Sequence, residues 1–592
     1  MIGSTFAVAT ICLCAVEARH QNVSASQYDF VIVGGGTSGL VVANRLSELS
    51  DVSVAVIEAG DSVLHNVNVT NVDGYGQAFG SDIDWAYQTE NQTYAGGSKQ
   101  TMRAGKAIGG TSTINGRMSY TRAQNVQVDV WEAVGNKDWN WNNLFPYYKK
   151  SEGFQVPTSD QDTRGADYYL AYHGEDGPLK VGWPTAMPNG TVLSVLDKTL
   201  KQLGLPYNRD INGGNMVGLT AHPNTIDPEA NVREDAARAY YWPYEDRSNL
   251  KIISNTYANK IIWSNDSSNE AVAIGVEVTG INGAETIYAS KEVILSAGSL
   301  KSPVILELSG IGNPDILRQY DIPLKVNIST VGENLQDQTN NGLSYAGKDL
   351  WHGSPSFSAL PSVNKIYGDT VADIASSVNS SLAGYAQAVA NASNGAVQEA
   401  NLLAAFQIQY DLIFQSQVPF AEIVFLPIGH AFSSEYWPLL PFSRGSIHIK
   451  SADPGEPAAI NPNYFMFDQD ISAQADVARY IRKAFSTAPL SGLVGEEFAP
   501  GLDTLPMDAS DSAWNYWIKS KYRPNFHPVG TASMLPREKG GVVNSQLVVF
   551  GTKNVRVVDA SVLPFQLCGH LTSTLYAVAE RASDLIKKNY ED

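Results

Sequence analysis

Three glycines, one acid and two histidines are the residues of this chain whose types and spacing admit chemistry. Gly34, Gly36 and Gly39 stand in the order G-x-G-x-x-G after the apolar run Phe30-Val31-Ile32-Val33, and Glu58 closes a second apolar run, Val52 to Ile57, 19 residues past Gly39. In such a unit the first glycine permits a tight turn, the second lets the backbone approach a pyrophosphate, and the third lets a helix pack close on a strand. The amides that open the helix, from Thr37 and Ser38 onward, face the phosphates, where the helix dipole favours negative charge. A carboxylate at Glu58 accepts hydrogen bonds from ribose hydroxyls and disfavours a 2′-phosphate, so the pattern predicts FAD or NAD rather than NADP. Toward the other end, His570 opens a stripe of Leu571, Leu575, Val578, Ala582 and Leu585 that steps by four and three, the spacing of an amphipathic helix. At a helix start the dipole opposes an imidazolium, so His570 is expected to be neutral and able to accept a proton or orient a hydroxyl.

These residues need elements to hold them. The opening segment reads as strand, glycine turn, helix and strand. Residues 250–300 read as further strands, Leu250–Ile253, Lys260–Trp263, Ala273–Val278 and Lys291–Ser296, which complete the same sheet. Gly105 to Gly116 is too rich in glycine and hydroxyls for a regular core element and is expected to run extended against a ligand. Trp131 to Tyr148 is aromatic and reads as core packing. Residues 370–410 read as helices, Ser443–Tyr464 as strands with Pro-rich turns, and Asn554–Asp559 as a strand ending in an acid. The nucleotide domain is therefore expected from three separated pieces, 28–128, 229–330 and 528–592, with a second domain from 129–228 and 331–527 inserted between them.

The chain of 592 residues exceeds one ordinary core, which fits two domains. Its formal net charge of −19 repels phosphate backbones and anionic membranes, so neither nucleic acid nor a membrane is expected as a partner. Residues 1–18 read as a secretory signal, with an apolar stretch from Phe6 to Val16 too short to span a bilayer. Cys12 and Cys14 lie inside it, which leaves Cys568 alone and excludes an internal disulfide in the mature chain. Eight N-x-S/T sequons, at Asn22, Asn68, Asn91, Asn189, Asn265, Asn327, Asn379 and Asn391, are consistent with a secreted, extracellular glycoprotein. The histidines show no close metal-ligand spacing, so no metal is implied, and no G-x-S-x-G elbow supports a hydrolase.

Through its motifs the chain resembles the glucose-methanol-choline (GMC) oxidoreductases over essentially its whole mature length. The opening fingerprint, the Gly105–Asn115 stretch, Gly298-Ser299-Leu300-Lys301-Ser302-Pro303 running into Ser309-Gly310-Ile311-Gly312, and Asn525-Phe526-His527-Pro528-Val529-Gly530-Thr531 with His570 carry the likeness. The resemblance implies an α/β fold: a Rossmann-like FAD-binding domain with an inserted substrate domain built on an antiparallel sheet covered by helices. It implies FAD as cofactor, with Ala59, Arg103, Gly105, Gly110, Thr111, Asn115, Gly116, Asp559 and Ala560 joining the fingerprint and Glu58 around it. Asn71–Gly76, Asn231–Tyr241 and Asp559–Ile586 point within the family to secreted fungal FAD-dependent glucose dehydrogenases. That likeness implies oxidation of glucose at C1 to the 1,5-lactone, with His527 as base, His570 as its partner, Tyr75, Glu422, Arg523 and Asn525 as sugar-binding residues, and a quinone-type electron acceptor. If 523–527 is extended, Arg523, Asn525 and His527 share one face. An oxidase reducing oxygen to hydrogen peroxide, an aryl-alcohol oxidase and a non-redox FAD lyase are the family's alternatives. One departure stands out: four residues, Gly116, Arg117, Met118 and Ser119, separate Asn115 from Tyr120 where the family has three, and the extra residue falls where the family's backbone passes the flavin.

Overall fold

The computed structural model describes residues 27–116, 118–189, 191–265 and 270–590. The expected signal segment, Asn22 and Arg117 lie outside the described residues. Two sheets organise the chain. In the first, strands Leu250–Ile253, Val54–Ile57, Gln27–Val33 and Gly283–Leu295 lie side by side in parallel. Ala273–Gly280 and Tyr257–Trp263 extend it antiparallel. Gly283–Leu295 serves two sets of neighbours. Its first half pairs with Ala273–Gly280, and its last residues sit between Gln27–Val33 and Val555–Val557. The run Val54-Ala55-Val56-Ile57 is apolar at every position because a parallel strand covered on both faces has no solvent side; all four residues are buried. The helix Thr37–Leu46 packs against this sheet, and a Cβ on Gly39 would stand 1.9 Å from the Gly34 carbonyl oxygen, so only glycine allows that approach.

The second sheet is antiparallel, in the order Val494–Ala499, Thr339–Trp351, Ala421–Pro438, Phe357–Leu360 and Gly218–Ala221. The helices Val371–Ala392, Glu399–Tyr410 and Asp468–Ser486 belong to its apolar core. Arg523–Pro524 forms a short extra strand on Thr339–Asn340. Mixed strands and helices of this kind give the α/β class read from the sequence.

Two expectations need correction. The buried apolar residues of 131–187, a stretch expected in the second domain as part of 129–228, do not belong with the second core. Trp131, Trp139, Tyr148, Phe154 and Trp183 are buried in the first. The helix Trp141–Ser151 lies along Leu571–Lys587, with Tyr148 Oη 2.7 Å from Thr574 Oγ1 and Lys150 Nζ 3.0 Å from Asp584. The aromatic rings are indeed core, but the apolar face they meet is that of the final helix. The Gly105–Gly116 stretch is not extended throughout: Gly110–Thr113 makes one turn of 3₁₀ helix, closed by Ser112 and Thr113 hydroxyls donating to the carbonyls of Gly109 and Gly110.

Candidate active site

A cavity enclosing about 1970 Å³ of unfilled space, part of it open to solvent, runs between the two sheets. Its middle is built by the fingerprint. The helix Thr37–Leu46 starts at Gly36, and no side chain caps its first amides. Those donors point at the cavity as a ready anion site. A Cβ on Gly110 would come 2.5 Å from Gly36 Cα, so the two glycine turns meet with no side chain between them. Gly34, Gly36, Thr37, Ser38, Ala59, Arg103, Gly105, Gly110, Thr111, Asn115, Gly116, Asp559 and Ala560 all line the cavity; Gly39 lies behind it as a packing residue.

Glu58 marks one end. Its carboxylate accepts the N–H groups of Gly35 and Gly60 at 2.8 Å each, which leaves a lone pair on each oxygen for further donors. Burial pushes its pKa up to about 7 against those hydrogen bonds. Trp85, Tyr87 and Tyr257 line the cavity beside it, with Trp85 stacked on Tyr87 at 5.5 Å and Lys106 lying 5.4 Å over Trp85. An uncapped helix start, a ribose-competent carboxylate and flat aromatic faces together fit a dinucleotide. Arg103 is paired with Asp84 at 2.6 Å, and Arg233 grips Asn115 through its side chain and its carbonyl. The Asp559 carboxylate is engaged by Gly298, Ser302 and Ser561, so it shapes the turn rather than facing the cavity as a free charge.

The histidines mark the other end. Residues 523–529 run antiparallel to 336–340, but the register shifts: Asn340 meets Arg523, Thr339 meets Pro524, and Gln336 meets Val529. Two extra residues bulge out between, with Phe526 at φ +64°. The stretch is therefore not simply extended, and the bulge is what lets Arg523, Asn525, Phe526 and His527 all line the cavity. Asp337 accepts the His527 backbone N–H at 2.8 Å and the Tyr464 hydroxyl at 2.5 Å. The His527 ring lies 5.6 Å from that of His570 at 86°, and Trp437 presents its ring to both. His570 caps Leu571–Lys587, its backbone N–H donating to Thr121 Oγ1 at 2.7 Å. Burial lowers the pKa of His570 to about 4; burial, His570 and Arg523 together hold that of His527 well below its ordinary value. Both rings are neutral at neutral pH, as the helix position of His570 suggested, although burial rather than the dipole is the main cause.

Around the histidines, Arg523 donates to Glu435 at 2.9 Å and to the Tyr75 hydroxyl at 3.3 Å. Glu435 lines the cavity and was not anticipated from sequence. Glu422, expected among the sugar-binding residues, does not line it. Its carboxylate is buried, accepts from Ser358 at 3.1 Å and lies 3.8 Å from His570 Nδ1, so it backs the histidine instead of facing a substrate. Burial raises its pKa to about 7. Both glutamates sit on Ala421–Pro438, which Gly429 breaks with a positive φ of +59°. In the Asn115–Tyr120 insertion, Met118 is buried with φ +54°, so the longer link is taken up as a left-handed kink.

An α/β dinucleotide fold whose cavity ends on two neutral histidines fits a flavin-dependent oxidoreductase. Models of the GMC oxidoreductase family match residues 28–340 and 441–579. The chain is 42% identical to Glucose oxidase-like protein fsoC of Humicola fuscoatra over 98% of each chain. It is 35% identical to a glucose oxidase of Aspergillus carbonarius, covering 96% of this chain and 93% of that one. A solved FAD-dependent oxidoreductase from Chaetomium thermophilum superposes with a TM-score of 0.86 at 27% identity, over 95% of this chain and 99% of that one. The chain belongs to the GMC oxidoreductase family, and its cofactor is FAD.

Proposed function

We propose that this protein oxidises an aldose, with glucose as the reference substrate, at C1 to the lactone, and that it acts outside the cell. The observation that carries the reading is the placement of two neutral histidines, 5.6 Å apart, beside Arg523, Asn525 and Tyr75 in the cavity that also holds the dinucleotide fingerprint. When bound, FAD supplies the ring that accepts a hydride. His527 takes the proton of the anomeric hydroxyl, a role suited to a neutral imidazole in a buried position. His570, held by its helix and Thr121, orients that hydroxyl from the second side. Asn525, Arg523 and Tyr75 offer amide, guanidinium and phenol groups to the remaining hydroxyls, with Glu435 keeping the guanidinium in place. Trp437 closes the pocket with an apolar face against which a sugar ring packs. The quinone-type acceptor expected from sequence remains one reading. Oxygen is the second, favoured by the likeness to a glucose oxidase-like protein at 42% identity and a glucose oxidase at 35%. Secretion is supported by the surface: the seven sequon asparagines among the described residues are exposed, apart from half-buried Asn68.

The test is His527→Ala. Turnover of glucose is expected to fall roughly 10²–10⁴-fold with FAD still bound. Unchanged turnover in the purified variant would refute the assignment.

A further inference from the structure

His527 Nδ1 sits within reach of two groups at once, 2.9 Å from Gln338 Oε1 and 3.1 Å from Asn525 Nδ2. A ring nitrogen has one in-plane position, occupied by a proton or by a lone pair. The first contact requires a proton on Nδ1; the second requires a lone pair. The orientation of the amides decides between them. Gln338 Nε2 donates to the main-chain carbonyl of Leu439 at 3.0 Å. A carbonyl can only accept, so Gln338 must turn its Oε1 toward His527. Asn525 Nδ2 donates to the same Oε1 at 3.1 Å, while Asn525 Oδ1 accepts from Asn340 Nδ2 at 2.9 Å. The whole chain of amides is thus set by one backbone oxygen.

An unprotonated Nδ1 would place its lone pair against that of Oε1 at 2.9 Å. A protonated Nδ1 instead gives Oε1 two donors for its two lone pairs, and the Asn525–His527 contact becomes that of two donors converging on one acceptor. We infer that Gln338 is a positioning residue that locks His527 in the Nδ1–H tautomer and leaves Nε2 as the proton-accepting atom. This rests on the proposed role of His527 as base. Among the described residues no hydrogen bond reaches Nε2. Gln338 is fully buried, and its neighbour Asp337 holds the backbone of His527, so consecutive residues fix the main chain and the ring. The neutrality of the amide matters as much as its position. A carboxylate there would accept the same proton but would also stabilise the imidazolium, leaving the base occupied.

Spectra of the flavin-loaded protein carrying ¹⁵N-histidine read the tautomer directly, with the signals of residue 527 identified by their loss in His527→Ala. A proton-bearing Nδ1 and a pyridine-type Nε2 near neutral pH are expected; the reverse pattern would overturn the inference whether or not any Gln338 variant folds. In Gln338→Glu the acid limb of kcat/KM is expected to move up by about one pH unit or more. In Gln338→Met the limb is expected to stay in place while kcat falls about tenfold or more, with flavin content unchanged. A flavin-loaded Gln338→Glu protein with the unaltered pH profile contradicts the positioning role, because a merely structural part would not move the limb. Full turnover in His527→Ala would instead remove the base assignment, and the nitrogen spectra would still decide the tautomer.

Discussion

His448 ties the stability of the fold to pH. Its ring joins two carboxylates from different segments, Glu307 at 2.7 Å through Nδ1 and Glu333 at 3.1 Å through Nε2, and Glu307 also accepts the Ile449 N–H at 2.8 Å. Both nitrogens face carboxylate oxygens, so the ring is held as an imidazolium. Burial opposes that charge, but the two glutamates win and raise the pKa from 6.5 to about 10. A raised folded-state pKa stabilises fully below the unfolded value and is lost as pH rises through the folded one. The stabilisation is therefore complete below pH 6.5 and disappears toward pH 10. That window of about 3.5 pH units, at ~1.36 kcal/mol each, sets an upper bound of ~5 kcal/mol, from which the burial that raises the Glu307 carboxyl above its ordinary value subtracts. In His448→Gln the two carboxylates lose their cation, Glu307 with no exposed side-chain surface, so the variant is expected to lose about 3–5 kcal/mol at pH 6. The assay is denaturant unfolding of flavin-loaded protein at several values between pH 6 and 10, comparing the two proteins. The gap should be widest at pH 6 and should close toward pH 10. A gap that is constant across this range would refute the charged clamp.

Other substitutions probe the site itself. Glu58→Ala removes both the ribose acceptor and the partner of the Gly35 and Gly60 amides; the flavin-to-protein absorbance ratio after gel filtration is expected to drop at least severalfold. Glu435→Gln frees Arg523, and because both partners are about one-third exposed the expected cost is modest, ~1 kcal/mol or about fivefold in KM for glucose, with kcat nearly unchanged. A larger effect on kcat than on KM would place Glu435 in the chemistry rather than in binding.

Much of the first domain could be read in the sequence because its signals are local. The apolar run ending at Glu58, the glycine spacing and the stripe after His570 each depend on a few neighbouring residues; the strand expected at 250–253 has those bounds, and the one expected at 273–278 runs on to Gly280. What escaped depends on distant partners. Trp131 and Trp139 announce a core but not which one, since an aromatic face fits either domain; only the docking of Trp141–Ser151 on the last helix settles it. Glu422 and Glu435 occupy one strand, and which of them meets the cavity follows from distant neighbours, Ser358 and His570 for the first and Arg523 for the second, which no alternation pattern displays. The bulge at Phe526 arises from pairing with residues almost 200 positions earlier, so the shared cavity face of Arg523, Asn525 and His527 came about by a route other than simple extension. Gln338 carries no motif; its importance appears only through Leu439 and Asn525.

Glucose is expected to reduce the bound flavin in a cavity governed by His527. Anaerobic titration of the flavin-loaded protein with glucose, followed in the visible flavin band, tests it most directly. Bleaching in proportion to added glucose is the predicted result, and the speed of recovery on admitting air then distinguishes oxygen from a quinone-type acceptor. A flavin band that stays unbleached at saturating glucose would contradict the claim.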